Sequence, residues 1–398
     1  MSDLDLERIR AAFPSLALGV THFDGPGGAQ VPSTVAAAVA EAMTSGLCQR
    51  GTASATERRT EEVVLEARRA IADLVGGDPR GVVFGRSMTQ LTFDLSRTLS
   101  SGWGPGDEVV VTRLDHDANI RPWVLAAERA GATVRWLGFD PVTAELDDLG
   151  PLLSERTRLV AVTAASNLFG TRPDVAATAA QAHEAGALVY VDAVHLAPHS
   201  PVDLAALGAD LLAVSPYKFF GPHLGALVAE PALLEGLRPD KLLPSSDAVP
   251  ERFELGTLPY ELLAGVTAAV DFIASLVPGE GTRRRRVLAS MSAVAGHEAG
   301  LMWRLLERMA AIDGVTVHGR PASRTPTVLF TVAGRSPREV HEHLGAVGIN
   351  APSGHFYAIE ASRHAGLGDE GGVRVGLAAY SSPDDVDRLL ERLRALLG

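Results

Sequence analysis

Cysteine is almost missing from this chain. Cys48 stands alone among 398 residues, so no internal disulfide can close and no multi-cysteine metal site can form within one chain. Long apolar runs are also missing. No stretch of about 18 apolar residues occurs, which argues against a membrane span. The opening MSDLDLERIR is acidic and lacks the apolar run of a secretory leader, so the expected location is the cytoplasm. Positive charge is in deficit. Lys and Arg number 36 against 48 Asp and Glu, a formal net charge of -12. A phosphate-backbone partner needs clustered cations, so nucleic acid is not an expected ligand. There is no internal repeat and no low-complexity segment.

What is present is an ordinary globular composition, 46% hydrophobic and 21% charged, in a chain too long for one small core. From about 80 to 230, short apolar runs alternate with helical patterns. The runs are GVVF (81–84), EVVVT (108–112), TVRWL (133–137), RLVAVTA (158–164), ALVYVDA (187–193), LLAVS (211–215) and LGALVAE (224–230). Nearly continuous runs of this kind suit strands covered on both faces, and the alternation predicts right-handed βαβ crossovers with a mostly parallel seven-stranded sheet. After about 255 the texture changes to long helices over 260–276 and 283–311, strands at 315–318, 326–332 and 372–380, and a terminal helix from 382. The expected division is an N-terminal arm (1–20) packing on a small domain, a large α/β domain (21–258), a linker helix (259–282) and a small α+β domain (283–398).

Four constellations carry chemistry. Asp192 ends the strand ALVYVD, and Lys218 follows the next strand in SPYKFFGP. Open parallel sheets bind ligands at these strand ends. An amine that forms an imine and a carboxylate beside a pyridine nitrogen are the two charged partners pyridoxal phosphate (PLP) requires. Taken singly, such an Asp is usually a cap and such a Lys a solvated cation; the pair is what points to a cofactor. GRSMTQLTF (85–93) follows a strand and opens a helix, whose free amides suit a phosphate, with Ser87 and Thr89 adding hydroxyls. The bland alternative is a serine cap. In LDHDANIRPW (114–123), His116 is placed to stack on a ring at the sheet edge. Asp115, His116 and Asp117 also read as metal donors, but adjacent residues point different ways, so no metal is expected. Arg374, in GVRVGL, suits a substrate carboxylate, the alternative being a surface ion pair.

Together these segments, with FDGPGGAQVP (23–32), SNLFG, VDAVHLAPH and RFELGT, resemble the class V aminotransferase superfamily and its cysteine-desulfurase-like branch. The resemblance spans nearly the whole chain. It implies PLP-dependent transferase fold type I, a PLP Schiff base on Lys218, and a homodimer with shared active sites that takes a small amino-acid substrate. It places Asp192 at the pyridine nitrogen and His116 over the ring. Met88 and Thr89 fall at the phosphate, helped by Ser215 and by Tyr217, which stands where desulfurases usually carry histidine. Asn167 falls near ring and substrate. His195 replaces a usual glutamine at the phenolic oxygen. Gly256 and Thr257 reach the partner's phosphate. Arg374 and His355 are carried over as substrate contacts.

The departures from the family pattern bear on the reaction. Desulfurases need a nucleophilic cysteine on a loop of the small domain. Here that stretch reads INAPSGHFYAIE (349–360), with Tyr357 or its neighbours in the cysteine's place and Pro352 near a second missing arginine. A phenol forms no persulfide. Cys48 lies near the other end of the chain, and a lone cysteine is ordinarily a small buried hydrophobe. The expected chemistry is therefore a Cα/Cβ reaction, foremost β-elimination with C–S cleavage and no persulfide. Transamination, epimerisation and a catalytically silent scaffold are the alternatives. Loops around 23–30, 245–258 and 350–362 are expected to set the side-chain pocket. A serine acyl enzyme fails because Ser215–Lys218 fits S-x-x-K with no companion K-T-G, and a dehydrogenase fails because glycines 25, 27 and 28 make no G-x-G-x-x-G. The run Arg283–Arg286 reads as a solvated helix face.

Overall fold

The short, nearly continuous apolar runs form one sheet covered on both faces in the computed structural model, which describes residues 4–397. The first three residues of the arm and the last residue of the chain lie outside the described residues. The chain opens with α1 (Leu6–Ala11) and β1 (Thr21–His22), then α2 (Ser33–Thr44) and α3 (Ala55–Val75). There follow β2 (Val82–Gly85), α4 (Met88–Ser100), β3 (Glu108–Thr112), α5 (Arg121–Ala130), β4 (Thr133–Leu137), β5 (Thr157–Thr163) and α6 (Val175–Glu184). Next come β6 (Leu188–Asp192), β7 (Leu211–Val214), β8 (Gly225–Ala229), α7 (Pro231–Gly236) and α8 (Tyr260–Ala274).

Strands β2 to β8 form one seven-stranded sheet in the order β2-β8-β7-β6-β5-β3-β4. The pairs from β7 to β4 are parallel, and β8 runs antiparallel to both neighbours. The architecture is thus the mostly parallel α/β sheet of PLP-dependent fold type I. Val189 and Val191 of β6 face a core shared with α3, α6 and α8, whereas Tyr190 between them faces α4 and α5. Both faces are covered, which is why the strands read as unbroken apolar runs. Each such fully buried side chain contributes roughly 1.5–3 kcal/mol.

The rest is an α+β unit: α9 (Arg283–Met309), β9 (Val315–His318), β10 (Thr327–Val332), α10 (Pro337–Ala346), β11 (Ile349–Asn350), β12 (Ser353–Gly354), α11 (Ile359–His364), β13 (Gly372–Gly376) and α12 (Pro383–Leu397). An antiparallel sheet in the order β12-β13-β10-β9 packs on α9, α10 and α12. The N-terminal segment touches both units. Phe13 sits edge-on to Phe220, Phe272 and Tyr380, and Phe23 inserts into the core of the second unit. Strand β1 pairs in parallel with β11. Among the described residues no helix is long and apolar enough to cross a membrane.

Candidate active site

The loops that leave the C-terminal ends of β3, β5, β6 and β7 converge on one cleft, the position at which parallel sheets present ligands. Its inner recess, of about 70 Å³, is lined by Met88, Thr89, Asn167, Asp192, His195, Ser215 and Lys218, among others. A larger outer cavity of about 580 Å³ shares Thr89, His116, Asn167, Tyr217 and Lys218 with it and adds Arg374, Phe356 and Tyr357. Residues as far apart in the chain as Pro26 and Arg374 therefore meet here.

Asp192 ends β6, and its Oδ1 accepts from the Val194 amide at 2.9 Å. Burial pushes its carboxyl up to about 6, against the opposing pull of that amide and of Lys218. Lys218 closes the short turn Pro216–Lys218 and is only 9% exposed. It is one of two lysines in the chain; the other, Lys241, pairs with Asp247. The Lys218 ammonium donates to the Pro26 carbonyl. Burial, then the charge of Arg374, hold it down to about 7, and Asp192 opposes this. An amine in that state is a ready nucleophile or base.

His116 is half-buried, and its imidazole is held neutral. Its Nδ1 accepts from the Ala118 amide at 3.0 Å, and burial with the charges of Lys218 and Arg374 holds it down to about 3. Its neighbours diverge as adjacent residues must. Asp115 turns inward to Thr112, Asn119 and Thr163, and Asp117 turns outward to Arg121. No metal-binding cluster occurs among the described residues. Ser87 caps α4, its Oγ accepting from Gln90 N at 3.1 Å. That leaves the Met88 and Thr89 amides at the open first turn, facing the recess. Gly225 permits this approach: a Cβ there would lie 2.2 Å from Met88 N.

Arg374 sits mid-strand in β13 and is 2% exposed. Its Nη1 donates to the Asn167 carbonyl at 3.0 Å, its Nε has no partner, and its guanidinium lies 3.7 Å from the Phe356 ring. Burial lowers it to about 9. No carboxylate of the described residues pairs with it, so a buried cation is left for an anionic ligand.

The loop after β12 completes the outer wall. Phe356 and Tyr357 have φ of 52° and 59°, the left-handed region that costs a side-chain-bearing residue energy. Two bonds hold the strained pair: Asn167 Nδ2 donates to Phe356 O at 3.0 Å and the Asp117 amide to Tyr357 O at 2.7 Å. The Tyr357 ring then stacks near His116 at 5.6 Å. His355 does not line the cleft. Gly256 and Thr257 are exposed and also lie outside the cleft of their own chain. Pro26, Gly27, Phe356 and Tyr357 line the wall from the loops around 23–30 and 350–362 that were expected to set the pocket, whereas Phe93 is a wall residue that sequence reasoning did not assign, and the loop around 245–258 does not reach the cleft of its own chain. Cys48, expected to be buried, is exposed in the α2–α3 connection, its amide held by Thr60 Oγ1 at 3.2 Å.

The recess fits PLP. It offers helix-terminal amides for a phosphate, an acid, an amine, and an imidazole from β3's loop. Two polar atoms in its wall, His195 Nδ1 and Asn167 Oδ1, are buried with no partner. Buried orphans of this kind are costly unless a ligand satisfies them.

Comparison with known proteins agrees. The profile of the family "Aminotransferase class-V" matches residues 21–389. The chain is 36% identical to the uncharacterized protein MT3887 of Mycobacterium tuberculosis, over 98% of this chain and 99% of that one. It is 30% identical to a cysteine desulfurase of Klebsiella pneumoniae, over 99% of both. The crystal structure of the cysteine desulfurase CsdA of Escherichia coli superposes with a TM-score of 0.86 at 26% identity, covering 99% of this chain and 98% of that one. The chain therefore belongs to the class V aminotransferase family, in its cysteine-desulfurase-like part, and is a PLP-dependent enzyme.

Proposed function

We propose that this enzyme removes the α-proton of a small amino acid and expels a sulfur substituent from Cβ, a β-eliminating C–S lyase that uses no protein persulfide. One observation carries the reading. The loop where the resemblance calls for a cysteine presents Phe356 and Tyr357 to the cleft instead, and Cys48 lines neither cavity.

Bound PLP supplies an electron sink for the bond broken at Cα. Lys218 would carry the cofactor, with Asp192 serving its ring nitrogen, His116 its ring face and His195 its phenolic oxygen. Met88, Thr89, Ser215 and Tyr217 serve the phosphate, and Gly256 and Thr257 serve the phosphate of a partner subunit. Arg374 grips the substrate carboxylate, Asn167 lies beside ring and substrate, and His355 supports that side of the site. Lys218, once free and neutral, takes the Cα proton. The Cβ–S bond breaks with both electrons leaving on sulfur, and water then releases a keto acid and ammonia. The enzyme acts in the cytoplasm as a homodimer.

The test is turnover of S-substituted cysteine analogues by the purified holoenzyme with no keto acid added. Stoichiometric keto acid and ammonia are expected, and Cys48→Ala should keep nearly the full rate. Turnover that requires a second keto acid would make it an aminotransferase. Exchange of the α-proton alone would make it an epimerase. A dead Cys48→Ala enzyme would restore the persulfide route.

A further inference from the structure

A separate cavity of about 320 Å³ lies between the C-terminal half of α9 and the segments carrying Arg172 and Arg324. His199 and Glu298 form part of its wall. His199 also packs edge-on to His195, ring centroids 5.1 Å apart, so this histidine pair is the partition between the cavity and the cofactor recess.

The wall holds two guanidinium groups that form no ion pair among the described residues. Arg172 Nη1 donates to Ser200 Oγ at 3.2 Å. Arg324 Nη2 donates to the carbonyls of Phe169 and Thr327 at 2.9 and 2.7 Å, and its Nε is buried without a partner. All these partners are neutral. Burial lowers both groups, Arg324 to about 10, and no carboxylate offsets it. Both arginines line this one cavity, and their segments are joined by the Thr171–Arg324 bridge and by the Arg172 amide, which donates to Ser323 O at 3.0 Å.

Glu298 pairs with neither arginine. Its Oε2 is bound to His199 Nδ1 at 3.0 Å, and burial pushes the carboxyl up. His199 Nε2 and Glu298 Oε1 remain buried and unpartnered, at residues 4% and 1% exposed. The cavity wall thus carries two guanidinium groups whose hydrogen-bond partners are all neutral, in a protein whose net charge is -12. Opposite them the wall is apolar, with Met302 and Leu306, and Trp303 stands 67% exposed at the rim.

We infer that this cavity binds a small organic carboxylate with a flat apolar body, the acid on Arg172 and Arg324 and the body against Trp303 and Leu306. Guanidinium forks match a carboxylate with parallel bonds, and a cavity of this size is in the range that takes small molecules.

Benzoate is the probe, titrated calorimetrically into the holoenzyme, with benzamide as the neutral counterpart. Arg374 is a second buried guanidinium that benzoate would find, so the decisive titration uses Arg374→Gln enzyme. That variant should still bind one benzoate per chain, while benzamide binds about tenfold more weakly or worse. Adding Arg172→Gln should weaken benzoate by about tenfold or more. Adding instead Trp303→Glu, at an exposed rim position that the fold does not need, should weaken it comparably. If Arg172→Gln does not fold, Trp303→Glu alone decides. Loss of all benzoate binding in Arg374→Gln, equal binding of benzamide, or unaltered binding after Trp303→Glu would each overturn the inference.

Discussion

Lys218 is an ammonium placed where water cannot stabilise it, and the consequence is measurable. Its ordinary value of 10.5 falls to about 7 through burial and the charge of Arg374. Below that value the amine is mostly protonated and cannot attack an aldehyde; above it the neutral amine predominates. The rate at which apoenzyme takes up PLP should therefore rise with pH and level off above about 7. Stopped-flow absorbance between about pH 6 and pH 8.5 would read this, and a flat profile would contradict it. Lys218→Ala should show no lysine-bound visible absorbance at any pH, and an unaltered spectrum would remove Lys218 from the site. Lys218 and Asp192 were legible in the sequence because strand ends of a parallel sheet have a known use, and a chain with two lysines offers few rivals. The loop 350–362 was legible as pocket wall, but not the way Phe356 and Tyr357 line it. They face the cleft through left-handed backbone that only the tertiary bonds from Asn167 and Asp117 hold in place, and no local pattern encodes those bonds.

At the scale of elements, the site depends on two loop-to-helix junctions. The first turn of α4 can approach β8 only because residue 225 lacks a side chain; an added Cβ would meet Met88 N at 2.2 Å and Ser87 C at 2.3 Å. Gly225→Ala should displace the phosphate end of the recess and weaken PLP binding by about tenfold or more, while far-ultraviolet circular dichroism stays unchanged. Cofactor affinity equal to the parent's would show that the turn does not hold the phosphate. The second junction follows β3. Asp115 accepts from Thr112 Oγ1, from Asn119 Nδ2 at 2.6 Å and from the Thr163 amide at 3.1 Å, fixing the turn that carries His116. Asp115→Ala would leave three buried donors without an acceptor, at about 1–3 kcal/mol each. A loss of about 3 kcal/mol or more in urea unfolding is expected, and an unchanged midpoint would refute the accounting. The seven strands were readable because each is several residues long and all but the edge strand β4, which exposes Thr133 and Arg135, are largely apolar on both faces. The pairs β1–β11 and β12–β13 were not, since two-residue strands carry no periodicity.

At the scale of the whole molecule, the open question is what covers Gly256 and Thr257. Both are exposed and outside the cleft of their own chain, beside Leu255 at 55% exposure, and Leu243 is 97% exposed. With the proposed homodimer, this turn would reach the phosphate in the partner's recess. The arrangement predicts complementation between two inactive chains. Lys218→Ala removes the amine from its own recess, and Thr257→Glu sets a carboxylate against the partner's phosphate, where like charge repels. Each homodimer should be nearly inactive. In a mixed dimer, however, the recess with intact Lys218 belongs to the Thr257→Glu chain and receives its turn from the Lys218→Ala chain, whose Thr257 is intact. That site lacks nothing, so co-refolded chains should recover activity while separately refolded ones do not. If the turn served its own chain, the mixed dimer would contain no complete site, and no activity would return. Sedimentation of the mixture must show dimers in either case, which separates a failure of assembly from a failure of sharing.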